Sequence, residues 1–268
     1  MTIQPLTSRT LRDDPPPAHT PKIPTIVLTA WKGGVWKTSL AVSLAERLAF
    51  AGLRVGLLAT DAQQDARARL GIRPRDPDVA RVDRGDGVVV AIGLGGPQAA
   101  DVLYRHPERI GPIDLAVVDT APSRRGMRLP GTLVIVPVFD ADSTRNNVAA
   151  LLAAPENCEL IVVRTGAKMA RKTWEREVGV IGEALGRPLR YVPHSLSPSS
   201  AIAGAHAQGR SVWSLARRGA VKGYLDGIEL LAEAAWSHAG EMGEMPDAPS
   251  SGAVETFIPG WDDDDDED

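Results

Sequence analysis

The chain has 268 residues, 43% hydrophobic and 24% charged, with a mean hydropathy of −0.11, a composition that excludes fibrous and wholly disordered proteins. No stretch approaches the ~18 consecutive apolar residues of a spanning helix, the N-terminus lacks the apolar core of a secretion signal, and the single cysteine, Cys158, excludes an intrachain disulfide or a cysteine-cluster metal site. The formal charge of −4 is split: residues 241–268 hold eleven acids and no Lys or Arg, so the remainder carries +7.

Residues 1–22 are rich in Pro, Thr and Asp and contain Pro15-Pro16-Pro17, which reads as a flexible or polyproline-like arm. Short apolar runs rich in β-branched residues then alternate with helix-period segments. Strands are predicted at Pro24–Ala30, Leu53–Ala59, Val88–Ile92, Leu115–Asp119, Thr132–Val138, Leu160–Arg164 and Leu189–Val192. Continuous apolar runs suit a mostly parallel sheet buried on both faces. Helices are predicted at Thr38–Ala51, closed by Gly52, at Ser143–Ala153, at Lys168–Leu185, ended by Gly186, and at about Arg218–His238. The last of these places Val221, Leu225, Ile228, Ala232 and Ala235 on one stripe. The expected organisation is an α/β domain over 23–240, a mostly parallel twisted sheet with helices on both faces, followed by a disordered acidic tail over 241–268.

The first strand runs into Trp31-Lys32-Gly33-Gly34-Val35-Trp36-Lys37-Thr38-Ser39 and then into a helix, the context of a phosphate-binding loop. Glycines let backbone N–H groups converge on phosphate oxygens, the helix N-terminus adds a favourable dipole, Lys37 supplies a point charge, and the Thr38 hydroxyl is a candidate magnesium ligand. The strict pattern G-x-x-x-x-G-K-S/T fails, because both glycines are tryptophan here, Trp31 and Trp36. The residues match K-G-G-x-x-K-S/T instead, with a second lysine, Lys32.

That deviant loop resembles the one in ParA/MinD ATPases, P-loop proteins with a deviant Walker A motif. Three further segments follow in the family's order. Leu57–Gln63 is similar to the second motif, D-x-D-P-Q, with Ala59 and Ala62 replacing its first Asp and its Pro. Ile113–Ser123 is similar to the Walker B strand, and Val192–Leu225 resembles the C-terminal pattern with Pro193, Arg218-Gly219-Ala220 and Tyr224-Leu225. The resemblance covers about residues 24–238 and implies ATP and Mg²⁺ as ligands. It implies that residues 33–39 (Gly33, Gly34, Val35, Trp36, Lys37, Thr38, Ser39) bind the phosphates, and that Lys32 reaches a partner subunit's nucleotide in an ATP-dependent homodimer. Lys37 and Lys32 would assist hydrolysis and Asp61 would position the attacking water, with a helix N-cap as the alternative role for Asp61. Asp119 would be the outer-sphere partner of the metal bound by Thr38. Asp114, at the entrance of that strand, is read as solvent-exposed. Arg164 and Pro193 mark the strand ends where adenine would lie, although the family's usual amide is Arg164 here.

Arg210, Arg217, Arg218 and Lys222 form a candidate surface for sequence-independent DNA binding, where phosphate contacts need only exposed positive charge. A solvated helix start is the alternative. Lys168, Arg171, Lys172 and Arg176 form a second candidate stripe. The resemblance implies a cytoplasmic, nucleoid-associated partition or positioning ATPase of the short type, stimulated by a ParB-like or adaptor protein. Three other readings stay open: a slowly hydrolysing or non-hydrolysing scaffold, a MinD-like membrane regulator, disfavoured by the acidic terminus, and an electron-transfer reductase, which would need a cysteine pair. The tail is read as a docking or fold-back segment or as a solubilising one.

Overall fold

In the computed structural model, residues 23–30, 33–60, 65–93, 110–121, 133–140, 158–166, 170–186, 189–240 and 243–250 are described. Among them, β1 (Thr25–Leu28), β2 (Arg54–Ala59), β3 (Val79–Arg84), β4 (Gly87–Ile92), β5 (Leu115–Asp119), β6 (Leu133–Val138), β7 (Glu159–Arg164) and β8 (Arg190–Ser195) make one sheet. Its order is β3-β4-β2-β5-β1-β6-β7-β8, and every pairing is parallel except β3 with β4. The mostly parallel α/β class and all seven expected strands are present.

β3 is the strand the sequence reading missed. It mixes half-buried and exposed residues where the strands flanked on both sides are largely apolar and buried, because it is an edge of the sheet, as is the mostly exposed β8. Arg84 pairs with Gly87, so Gly85-Asp86 is the two-residue turn of a tight hairpin, a signal available in the sequence.

The helices are α1 (Lys37–Phe50), α2 (Asp65–Arg69), α3 (Arg171–Leu185), α4 (Ser200–Ala207) and α5 (Gly219–Ala239), with a 3-10 turn at Val212–Ser214. α3 ends as expected on Gly186, which takes φ +64° and donates its N–H to Glu183 O. α4 was not foreseen; Ser199 caps it, its Oγ accepting from Ile202 N. The helix expected at Ser143–Ala153, the N-terminal arm and residues 251–268 lie outside the described residues.

Alternation along β1 sends Ile26 and Leu28 to one face and Val27 to the other, and both faces are covered. α1, α4 and α5 pack on the first face; Trp174, Val178 and Ile181 of α3 pack on the second. α1 is buried almost all round, so its polar residues need partners inside the protein. Tyr224 Oη donates to Ser39 O at 3.2 Å and lies 3.0 Å from Ser43 Oγ, and Trp213 Nε1 donates to Ser43 O at 3.1 Å. Glu46, fully buried, accepts from Arg84 Nε at 2.8 Å and Ser211 Oγ at 3.0 Å. Burial raises the Glu46 carboxyl above its ordinary range despite the opposing Arg84 charge.

Two expectations are corrected. Asp114 is not simply solvent-exposed: Arg54 donates to both of its oxygens, at 2.6 and 3.1 Å, and holds its carboxyl below the usual range. The chain also does not leave the body at Gly240. Met245 and Ala248 pack against the core, Trp236 Nε1 donates to Gly243 O at 2.9 Å, and Arg47 Nη2 donates to Pro246 O at 2.6 Å. Composition alone hid this, because a polar segment needs only a few apolar contacts and two buried donors to stay docked.

Candidate functional site

β1 lies between β5 and β6, and the chain proceeds from it to β2 on the β5 side, then returns to continue on the β6 side. The C-terminal end of β1 is therefore a topological switch point, where open α/β sheets form their ligand crevice. The loop leading to α1 sits there.

Gly34 takes φ +75° and the space around its missing Cβ is open, so glycine is required there by conformation and not by crowding. Trp36 is the sole non-glycine residue with positive φ among the described residues, at φ 64° and ψ 18°. It occupies the left-handed conformation that a glycine of the usual motif reaches without strain, at a cost of about 1–2 kcal/mol for a side-chain-bearing residue. Trp36 as a residue is half-buried.

The first helical hydrogen bond of α1 runs from Leu40 N to Trp36 O at 3.0 Å, which leaves the amides of Lys37, Thr38 and Ser39 without an intrahelical acceptor. Trp36, the N-cap residue, makes no side-chain cap hydrogen bond to them, and no acid lies in the first turn. Lys37 begins the helix with 7% exposure, and among the described residues its ammonium has no ion-pair partner. Uncapped amides, the positive end of the dipole and a buried lysine together make a site that favours an anion of high charge.

Asp119 ends β5 at 2% exposure, in register with Leu28 of β1 and Ala59 of β2. Thr60 N and Oγ1 both donate to Asp119 O, at 3.0 and 3.1 Å, and Thr120 N and Oγ1 both donate to Leu28 O, at 3.2 and 2.9 Å. These bonds tie the ends of β1, β2 and β5 together and fix Asp119 at the C-terminal end of the sheet, the end from which the loop to α1 leaves; Thr38, half-buried, is the second residue of that helix. The donor set of one hydroxyl and one carboxylate is suited to a hard divalent cation that keeps most of its waters.

Lys32 and Asp61 lie outside the described residues. The segment after Asp61 is visible from Asp65, however, and it supplies a residue that the sequence did not flag. Arg69, at the end of α2, donates from Nη1 to Ser39 Oγ at 2.7 Å and lies 3.5 Å from His206 Nδ1. His206 is 2% exposed; burial, then the Arg69 charge, pushes its pKa down to about 3, so the ring is neutral. α2 and α4 also meet at Gly71 and Gly209, where a Cβ on Gly209 would come within 2.5 Å of Gly71 Cα. No local pattern signals contacts between residues so far apart in sequence.

Arg164 and Pro193 fall on neighbouring strands, but an irregularity in the β7–β8 register sets Ser195 opposite Arg164, and Pro193 is exposed. Burial, with the nearby Arg171 charge, lowers the Arg164 pKa.

The basic surface is less cationic than the sequence implied. Arg217 pairs with Glu229 at 3.2 Å and Lys222 pairs with Asp226 one helical turn on. Arg218 is exposed at the N-terminus of α5, and Arg210 is half-buried with no hydrogen-bond partner for its Nε among the described residues. In the second stripe Arg171 pairs with Glu175 and Arg176 with Glu177, while Lys168 lies outside the described residues. No described helix is long and apolar enough to cross a membrane.

No protein-family model matches the chain, and no curated protein matches it. Solved structures do. The MinD cell division protein of Aquifex aeolicus is similar over 78% of this chain and 96% of its own, at 19% identity and a TM-score of 0.53. A putative plasmid partition protein of Borrelia burgdorferi, bound to AMPPNP, is similar over 78% of this chain and 98% of its own, at 17% identity and TM-score 0.51. Cobyrinic acid a,c-diamide synthase of Mycobacterium smegmatis, with a bound ATP analogue and magnesium, is similar over 84% and 98%, at 17% identity and TM-score 0.51. The chain has the fold shared by these proteins, which serves partitioning and biosynthesis alike.

Proposed function

We propose that this protein is a ParA/MinD-type ATPase that binds Mg-ATP at the N-terminus of α1, dimerises on it, and in that state binds DNA without sequence preference to position a cargo. The observation that carries the reading is the start of α1 at the switch point of the sheet, where Trp36 supplies no side-chain cap and Lys37 is buried with no ion-pair partner among the described residues. The amides of residues 33–39 and Lys37 would hold the phosphates, Thr38 and Asp119 would hold the magnesium, and Lys32 would complete the site across the dimer. The metal would supply charge neutralisation of the phosphate oxygens. Asp61 would orient the attacking water and Arg164 and Pro193 would flank the base. The nucleotides named for the structurally similar partition protein and synthase support the ligand class. Fold likeness to partition and cell-division proteins, together with the exposed Arg217 and Arg218, supports the partition role over a biosynthetic one. The protein would be cytoplasmic, associating with the nucleoid in its ATP state, and a ParB-like or adaptor protein would stimulate turnover.

A second reading has its own observation. Ala59, 1% exposed, stands where the resemblance places an Asp, and Trp36 strains the loop, so the protein would act as an ATP-dependent scaffold that hydrolyses slowly or not at all. ATPase rates with and without duplex DNA, beside gel shifts in ATP, ADP and no nucleotide, separate the two. Turnover with ATP-dependent shifting supports the partition reading; ATP-dependent shifting without turnover supports the scaffold; equal shifting in all three conditions contradicts both.

A further inference from the structure

We propose that the acidic terminus, Asp262–Asp268, docks in cis on the arginine edge around Arg217 and Arg218 and must be displaced before a nucleic acid can occupy it. The proposal rests on reading that edge as a polyanion surface, and its test separates the two ideas.

The path of the chain points there. Among the contacts that hold segment 243–250 on the body is one from a buried arginine: Arg47, 1% exposed, donates from Nη2 to Pro246 O at 2.6 Å. The same guanidinium donates from Nε to Glu229 Oε2 at 2.6 Å, and the other oxygen of Glu229 accepts from Arg217 Nη2 at 3.2 Å. Both guanidinium groups approach the Trp213 ring, at 6.0 and 5.7 Å from its centroid. Pro246 and Arg217 are therefore joined by three hydrogen bonds in series, through the Arg47 guanidinium and the Glu229 carboxylate. The tail is launched beside the basic edge and not from a remote face.

Charge makes the tail a fitting occupant. Among the described residues the exposed Arg217, Arg218 and Lys222 face two acids, Glu229 and Asp226, and Glu229 is already shared with buried Arg47, so the edge keeps a net positive charge. Seven consecutive acids, Asp262 to Asp268, follow twelve residues beyond Ser250. A chain of that length has a root-mean-square span of roughly 20 Å and reaches about 40 Å when extended, which puts the acids at millimolar effective concentration over the edge. Duplex DNA, with a far denser line of charge and its counterions to release, still displaces such a tail when DNA is abundant. The tail thereby sets a threshold that excludes weaker anions.

The test uses the full chain with Asp262–Asp266 and Asp268 changed to Asn and Glu267→Gln. Two readouts are taken at low salt: affinity for an arbitrary duplex, and reactivity of Arg218 toward phenylglyoxal read by mass spectrometry. The neutralised protein is expected to bind duplex about tenfold more tightly. That gain should disappear in Arg217→Gln/Arg218→Gln. Arg218 should react faster when the tail is neutralised, at every protein concentration. Equal duplex affinity with equal Arg218 reactivity overturns the proposal, and so does protection that vanishes on dilution, which would place the tail on a second copy. If neither protein binds duplex, the DNA reading falls, and the Arg218 reactivity alone decides whether the tail docks.

Discussion

Arg47 and Glu229 form a 2.6 Å ion pair in the seam between α1 and α5, with Arg47 1% and Glu229 19% exposed. Removing one partner leaves a charge in a place water hardly reaches, so Glu229→Ala is expected to destabilise the protein by about 3–5 kcal/mol. Arg47→Met, which removes the charge and keeps the apolar stem, should cost distinctly less. Urea unfolding of the two variants checks the order; a reversed order would contradict the buried-pair description.

Trp36 offers a test of backbone strain that is independent of function. Trp36→Gly and Trp36→Ala both delete the indole, so their difference isolates the left-handed backbone at φ 64°. Glycine is expected to be the more stable by about 1 kcal/mol, the reverse of ordinary helix propensity, and calorimetric unfolding reads the difference.

Lys37 sets stability against ligand binding. It is 7% exposed with no ion-pair partner among the described residues, so Lys37→Met is expected to raise the melting temperature of the free protein by a few degrees, corresponding to about 1 kcal/mol. The same variant should lose the thermal shift given by Mg-ATP. A variant that melts lower while keeping the nucleotide shift would contradict the role assigned to this lysine.

His206 makes stability depend on pH. Its folded pKa of about 3 lies below the ordinary value of 6.5, so between these the unfolded chain binds the extra proton and stability falls as pH falls. The contribution is complete above about pH 6.5 and is lost progressively toward pH 3, amounting to a few kcal/mol. His206→Gln is expected to flatten the stability profile between pH 4 and 6.5, measured by urea midpoints; an unchanged slope would contradict the buried neutral ring.

Gly209 tests the junction between α2 and α4. Its φ is +63° and an added Cβ would lie 2.5 Å from Gly71 Cα, backbone that cannot swing aside. Gly209→Ala is expected to destabilise by about 2–3 kcal/mol in thermal unfolding.

The sheet's central strands were legible because burial on both faces writes them as apolar runs rich in β-branched residues, as in Leu133–Val138. β3 was missed for the opposite reason: an edge strand such as Val79–Arg84 needs only half its residues apolar, and its Arg81 and Asp83 resemble a loop. At the site, Lys37 and the strained Trp36 could be read from a contiguous motif. Arg69 and His206 could not, because Arg69–Ser39 and Arg69–His206 join residues thirty or more positions apart with no periodic trace. The ion pairs at Arg217 and Lys222 were also invisible to a count of charges, since Asp226 and Glu229 matter only once α5 brings them alongside.

The most direct test of the central claim is isothermal titration of the 268-residue chain with Mg-ATP, beside Lys37→Ala. The account expects saturable binding at one nucleotide per chain in the wild type and none in the variant. No binding by the wild type, or unaltered binding by Lys37→Ala, would contradict a triphosphate site at the start of α1.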